Sequence, residues 1–293
     1  MLMTERCRFS CMELQYVLWA EEVEPFLARL RPPGLRATLR SDRWWISTVY
    51  LDRPDRSLST GALACPEVRT ELRLREYFTP EGEAVSPFVW VESKGQTGRS
   101  SCLTRFQLHR RLIPRFLGGD LDDEEILEGQ PRFIERDRVL PAIRAVRDVS
   151  GSGSLVAAGA VSSLRLALEG GNPQARITLD RDMAYHLGPL PLSGKEPSLK
   201  RDRLGLPALE EPSGVVEIKY RGFRRPTWCE QRLDPAAGPM EYSKFQILSA
   251  LGQSDRQASR SLLRRPSSIL YFGFSTARSM RRSGTSQINA TST

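Results

Sequence analysis

Histidine is almost missing from this sequence: His109 and His186 are its two copies in 293 residues. That excludes a histidine-rich metal site and argues against a Ser-His-Asp triad. Cysteine is sparse too. Cys7, Cys11, Cys65, Cys102 and Cys229 make an odd number with no Cys-x-x-Cys pair. This argues against a disulfide framework or a zinc cage and fits a reducing, cytoplasmic setting. No stretch of about 20 uncharged apolar residues exists, so no segment is expected to span a membrane. The start of the chain lacks the apolar run of a signal peptide. A Walker loop, a Gly-x-Gly-x-x-Gly signature and internal repeats are absent as well.

What is present is positive charge and alternation. The formal net charge is +8, which points to a polyanionic partner: nucleic acid, an anionic membrane or a phosphate compound. Forty per cent hydrophobic residues can build a core, and 20 prolines with 22 glycines imply many turns. Glu71-Leu72-Arg73-Leu74-Arg75-Glu76-Tyr77 alternates in kind and reads as a β-strand. Arg73 and Arg75 share one face, ~7 Å apart. Two guanidiniums so close repel unless they share an anion, and their planar forks fit phosphate oxygens.

Other stretches repeat the habit. Strands are expected at 12–19, 44–51, 70–78, 88–94, 100–107, 161–168, 174–180 and 215–220. A short helix is expected at 20–31, ended by Pro32-Pro33-Gly34, and another at 242–252. Residues 108–148 carry apolar positions at helical spacing, including Leu112, Phe116, Ile126, Val139, Ile143 and Val146. Residues 186–213 read as a long irregular loop. One domain is expected over 1–253. The Ser/Arg-rich stretch 254–293 reads as a mostly disordered basic tail containing an apolar island at 268–274. The tail could meet a peripheral membrane or a protein partner.

The polar faces of the strands carry Arg73, Arg75, Lys94, Arg105, Arg165, Arg176 and Lys219, with Glu13, Glu92 and Glu217 interleaved. Two architectures explain this. An exposed sheet would pair these charges across strands. A closed antiparallel barrel would turn them inward to line a tunnel. Periodicity alone favours the exposed sheet. In a tunnel, the basic residues would hold phosphate oxygens and the carboxylates Mg²⁺ or Mn²⁺.

The ordered motifs resemble the VTC domain, the polyphosphate-polymerase domain of the vacuolar transporter chaperone complex. That domain belongs to the triphosphate tunnel metalloenzymes, with the CYTH phosphatases and adenylate cyclases. The likeness covers roughly residues 12–250. Glu13-Leu14-Gln15-Tyr16 resembles the family's opening Glu-x-Lys-Tyr/Phe strand, and Thr48-Val49-Tyr50-Leu51-Asp52 its Val-Tyr-Phe-Asp-Thr strand. Arg73 and Arg75 fall on its Arg-x-Arg phosphate clamp, Glu92 and Lys94 on its Glu-x-Lys strand. Arg165 and Arg176 match two further tunnel arginines, the second in Arg-x-Thr-x-Asp. Glu217 and Lys219 match the strand whose glutamate binds the metal, and Ser243-Lys244-Phe245 the closing Ser-Lys-Tyr/Phe motif. No single motif is specific; seven in the expected order are. Two departures stand out: Gln15 and Leu103 occupy places where the family carries lysine.

The resemblance implies an α+β fold built round an antiparallel β-barrel with flanking helices. It implies metal-dependent phosphoryl transfer on triphosphate or polyphosphate, with ATP-dependent polyphosphate synthesis foremost. A triphosphate hydrolase and a non-catalytic polyphosphate-binding module are the alternatives. Arg73, Arg75, Lys94, Arg165, Arg176, Lys219 and Lys244 would act on phosphate, with Arg105 a further phosphate ligand. Glu217, Glu92 and Glu13 would hold Mn²⁺ or Mg²⁺. ATP, triphosphate or polyphosphate is the expected partner. Nucleic acid is not, because the basic strand faces are mostly aliphatic or charged, although Trp90 shares a face with Glu92 and Lys94.

Overall fold

The computed structural model describes residues 11–30, 43–131, 136–151, 153–169, 175–188, 190, 192–195, 197–221 and 239–260. The Pro32-Pro33-Gly34 stop and the stretch beyond 260, with its apolar island, lie outside the described residues.

In chain order the elements are β1 (Cys11–Leu18), α1 (Ala20–Leu30), β2 (Arg43–Asp52), α2 (Ser57–Ala64), β3 (Val68–Phe78), β4 (Phe88–Thr97) and β5 (Ser100–His109). Then come α3 (Ile113–Gly118), α4 (Asp123–Glu128), α5 (Arg136–Ser150), β6 (Val156–Glu169), β7 (Ala175–His186), β8 (Leu209–Glu211), β9 (Gly214–Arg221) and α6 (Lys244–Arg260). Eight strands run antiparallel in the order β6-β2-β3-β4-β5-β1-β9-β7, and β7 returns to β6. The sheet therefore closes into a barrel, and β8 adds to β7 beyond the end of β9. Closure decides between the two architectures left open by the alternation.

The outer face of the barrel is apolar. Leu72, Leu74, Val91 and Phe106 pack against Phe116, Ile126, Val139 and Ile143 of α3 to α5. Leu14, Tyr16, Ile177 and Ile218 pack against Val23, Phe26 and Leu27 of α1. Each such side chain, fully buried, contributes about 1.5–3 kcal/mol. Spending the apolar faces outward leaves the charged faces no place but the bore.

One end of the bore is plugged. Asp182 takes a left-handed φ of 52° where the β6–β7 register slips between Ser162 and Leu164. Beyond that irregularity Tyr185 pairs with Val161, and both pack with Tyr50, Met183 and Val215. Phe245 of α6 stacks on Tyr50 with ring centroids 5.1 Å apart, and the Tyr185 and Tyr242 hydroxyls share a 2.6 Å hydrogen bond. Gly159 permits the close approach: a Cβ there would lie 2.8 Å from the His186 carbonyl oxygen and 2.9 Å from Leu248.

Three local features differ from the sequence reading. α2 follows the Asp52–Asp55 turn because the buried Asp52 carboxylate accepts from the backbone amides of Leu58 and Ser59 at 3.0 and 3.1 Å. The stretch 186–213, expected as an irregular loop, carries the short strand β8 and is anchored where described, with Leu192, Leu199 and Leu204 in the core and Leu199 N donating to Glu76 at 3.0 Å. Cys102 is disulfide-bonded, whereas Cys11 and Cys65 are free. Among the described residues no helix is long and apolar enough to cross a membrane.

Candidate active site

Register brings the predicted residues into rows around the bore. Arg73 of β3 faces Glu92 of β4, which faces Arg105 of β5. Glu71, Lys94 and Leu103 form the adjacent row. Across the barrel Glu13 faces Lys219, which faces Arg176, and Gln15 faces Glu217, which faces Thr178. Arg165 faces Asp180.

On the β3–β5 wall, arginines surround one carboxylate. Glu92 is fully buried. Its Oε2 accepts from Arg73 Nε at 2.7 Å and lies 3.7 Å from Arg75 Nη1, while Oε1 lies 3.6 Å from Arg105 Nη1. Burial alone would raise its pKa, but the guanidiniums of Arg75, Arg73 and Arg105 hold it at about 2. Arg73 also donates to Glu71 at 3.1 Å, and Glu71 accepts from Arg69 at 3.3 Å. Arg75 Nε donates to Thr48 Oγ1 at 3.2 Å.

On the β1–β9 wall, lysines bridge two carboxylates. Lys219 Nζ lies 3.2 Å from Glu13 and 3.1 Å from Glu217. Lys94 Nζ donates to Glu13 at 3.0 Å, and Ser101 Oγ donates to its other oxygen at 2.5 Å. Burial and mutual repulsion push the Glu13 pKa up, yet Lys94 and Lys219 hold it below the usual carboxylate range. Glu217 is driven well below that range: burial opposes, and Lys219, Lys94 and Arg165 prevail. Lys219 is raised in turn, because Glu217 and Glu13 outweigh its burial.

The plugged end carries a third cluster. Arg165 grips Asp180 with two bonds of 2.6 and 2.7 Å, and Lys244, at the start of α6, donates to the same carboxylate. Burial would raise Asp180, but Arg165 and Lys244 hold it far down. Burial lowers Lys244 more than Asp180 raises it.

Arg73, Arg75, Lys94, Arg165, Glu217, Lys219 and Lys244 line one cavity of about 60 Å³. Glu13, Glu92, Arg105 and Arg176 share the tunnel face by register but do not line that cavity. The charged side chains around the cavity pair with one another, so an incoming anion must exchange partners with them. Sequence reasoning missed Arg69, Glu71, Tyr50 and Asp180, which also line it. Three were within reach of the period-2 rule: Arg69 and Glu71 precede Arg73 on one face, and Asp180 closes Arg-x-Thr-x-Asp.

Among the described residues no group of three or more metal-ligating side chains converges. Mg²⁺ and Mn²⁺ do not require one, since they are held by one or two carboxylates plus phosphate oxygens and water. Glu13 and Glu217, close enough to share one ammonium, fit that mode. Glu92 is held at Oε2 by Arg73, while its buried Oε1, 3.6 Å from Arg105 Nη1, accepts no hydrogen bond among the described residues.

The sequence profile described as "VTC domain" matches residues 12–251. The chain belongs to the VTC domain family. The barrel with its charged bore is thus the chain's VTC domain. No curated protein matches the chain in a sequence comparison. Solved structures of similar fold include a candidate adenylyl cyclase from Hippeastrum reported to have a dominant triphosphatase activity (13% identity, 82% of this chain and 95% of that one, TM-score 0.45). They also include candidate adenylate cyclases from Bacillus halodurans (12%, 90% and 98%, 0.34) and Vibrio parahaemolyticus (13%, 81% and 98%, 0.37).

Proposed function

We propose that this VTC domain binds a triphosphate or polyphosphate inside the barrel and transfers phosphoryl groups with Mn²⁺ or Mg²⁺, with ATP-dependent polyphosphate synthesis as the reaction. The observation that carries this reading is the lined cavity itself. Arg69, Arg73, Arg75, Lys94, Arg165, Lys219 and Lys244 enclose it against Glu71, Asp180 and Glu217. Positive charge is in excess among lining side chains that are mostly buried or half-buried, where charge-assisted bonds are strong.

Arg73, Arg75, Lys94, Arg165, Arg176, Lys219 and Lys244 hold the phosphates, with Arg105 at their edge. Glu217 and Glu13 hold the metal. Glu92 fixes the guanidiniums of the clamp. Mn²⁺ or Mg²⁺ held by Glu217 and Glu13 would supply a positive charge that neutralises charge developing on the transferring phosphoryl group. The chain's own contribution is positioning: the arginines keep the phosphates in line and need no reorganisation as charge shifts. No side-chain nucleophile takes part.

Gln15 and Leu103, both on the tunnel face, favour a second reading: a polyphosphate-binding module without turnover. Incubation with ATP and Mn²⁺, resolved by chain length, separates the cases. A ladder of lengthening chains supports synthesis. Orthophosphate without a ladder makes the protein a hydrolase, and saturable binding without products makes it a module.

A further inference from the structure

One stretch of the tunnel face is not built for phosphate. On β4 the face that carries Lys94 and Glu92 continues outward through Trp90 to Phe88. On β5 the matching face runs through Leu103 and Arg105 to Gln107 and His109. Here aromatic groups replace the alternating charges. The Arg105 guanidinium lies over the Trp90 ring, 4.1 Å from its centroid. Phe88 and His109 meet edge to face at 5.4 Å. This strip reaches solvent: the Arg105 side chain is 43% exposed, and Phe88, Trp90, Gln107 and His109 are half-buried.

An inorganic phosphate chain offers only charge and acceptor oxygens, so it gains nothing from such a surface. A nucleoside triphosphate carries a flat base a few bonds from its phosphates. Trp90 stands directly opposite Arg75 in the β3–β4 register. Adjacent strands are ~4.8 Å apart, so a triphosphate held by Arg75 brings its base within reach of the strip. Bases stack on aromatic rings and on guanidinium planes alike, without regard to base identity.

We infer that Trp90, with Arg105 stacked on it, forms the nucleoside subsite of the tunnel, and that it makes the domain prefer a nucleoside triphosphate over inorganic triphosphate as the entering substrate. This inference rests on the phosphate-binding reading of the bore.

The test is calorimetric titration of the full chain with ATP and with inorganic tripolyphosphate at one Mn²⁺ concentration, for wild type, Trp90→Ala and Trp90→Phe. Trp90→Ala should weaken ATP by about tenfold or more while changing tripolyphosphate by about twofold at most. Trp90→Phe, which keeps an aromatic face, should recover most of the ATP affinity. Retained tripolyphosphate binding also shows that the alanine variant is folded. Unchanged ATP affinity in Trp90→Ala, or equal loss of both ligands, overturns the subsite alone. Failure of wild type to bind either ligand overturns the tunnel reading beneath it.

Discussion

The two walls of the bore solve opposite problems. On the β3–β5 wall three guanidiniums crowd one buried carboxylate, Glu92. On the β1–β9 wall two carboxylates, Glu13 and Glu217, share one ammonium, Lys219. The first arrangement has positive charge in excess and waits for an anion. The second is balanced, with Lys219 and Lys94 set against Glu13 and Glu217, and could take a cation where a lysine swings aside. Arginine suits the first wall because its planar fork binds a carboxylate and still presents donors. Lysine suits the second because a flexible point charge can swing aside. The proposed metal–phosphate ligand would use both walls, which the barrel carries side by side where β5 pairs with β1.

The sharpest way to break this contrast is Glu92→Gln. It leaves Arg73 and Arg75 without their shared anion in a buried setting, which costs about 3–5 kcal/mol. The pH dependence has a definite sign. The Glu92 pKa lies at about 2 in the folded chain against an ordinary 4.5, so its stabilisation is complete above 4.5 and is lost as pH falls through 2. Denaturant melts across that window should show the loss in wild type and a flatter acid limb in Glu92→Gln. A variant as stable as wild type would mean that the arginines do not depend on Glu92.

Next in size is Glu217→Gln. Losing the metal costs several kcal/mol of transition-state stabilisation, so turnover should fall about a hundredfold or more. Mn²⁺ affinity should drop with it, while metal-free tripolyphosphate binding persists. Wild-type turnover at limiting Mn²⁺ would remove Glu217 from the metal role.

The clamp comes third. Arg75→Ala should weaken tripolyphosphate by about 1.5–3 kcal/mol, the range for hydrogen bonds to charged groups. Arg75 is a cleaner probe than Arg73, because its contact to Glu92 is 3.7 Å where that of Arg73 is 2.7 Å. Arg73→Ala should lose comparable affinity and stability besides. The smallest effect is a gain: Gln15→Lys adds a cation beside Glu217 and should strengthen binding by about 0.2–1 kcal/mol. Unchanged affinity there would show that the amide, which bridges Glu217 at 3.3 Å and the Tyr242 amide at 3.1 Å, is not a deficiency.

How legible this was in the sequence depends on the range of the interactions. The rows of charge could be read because Leu72/Arg73/Leu74/Arg75 obeys a period of two that the strand itself imposes. That the polar face turns inward could not: alternation is the same for an exposed sheet, and only the β6–β7 closure settles it. The pairing of Glu92 with arginines and of Glu13 with lysines depends on register between strands far apart in sequence. α2 escaped notice because Ser57-Leu58-Ser59-Thr60-Gly61 is a weak helix former, held instead by Asp52. The anchored stretch 186–213 hides in the same way. Its leucines look like loop residues until Glu76, buried with Arg110 at 2.5 Å, takes the Leu199 amide.

The central claim is that the bore is a phosphate site formed by the arginine wall without help from metal. Calorimetric titration of the full chain with inorganic tripolyphosphate, in the presence of a metal chelator, tests it most directly. The account predicts one saturable site per chain, weakened by high salt and by Arg75→Ala. Absence of saturable binding, or binding indifferent to Arg75→Ala, would contradict it.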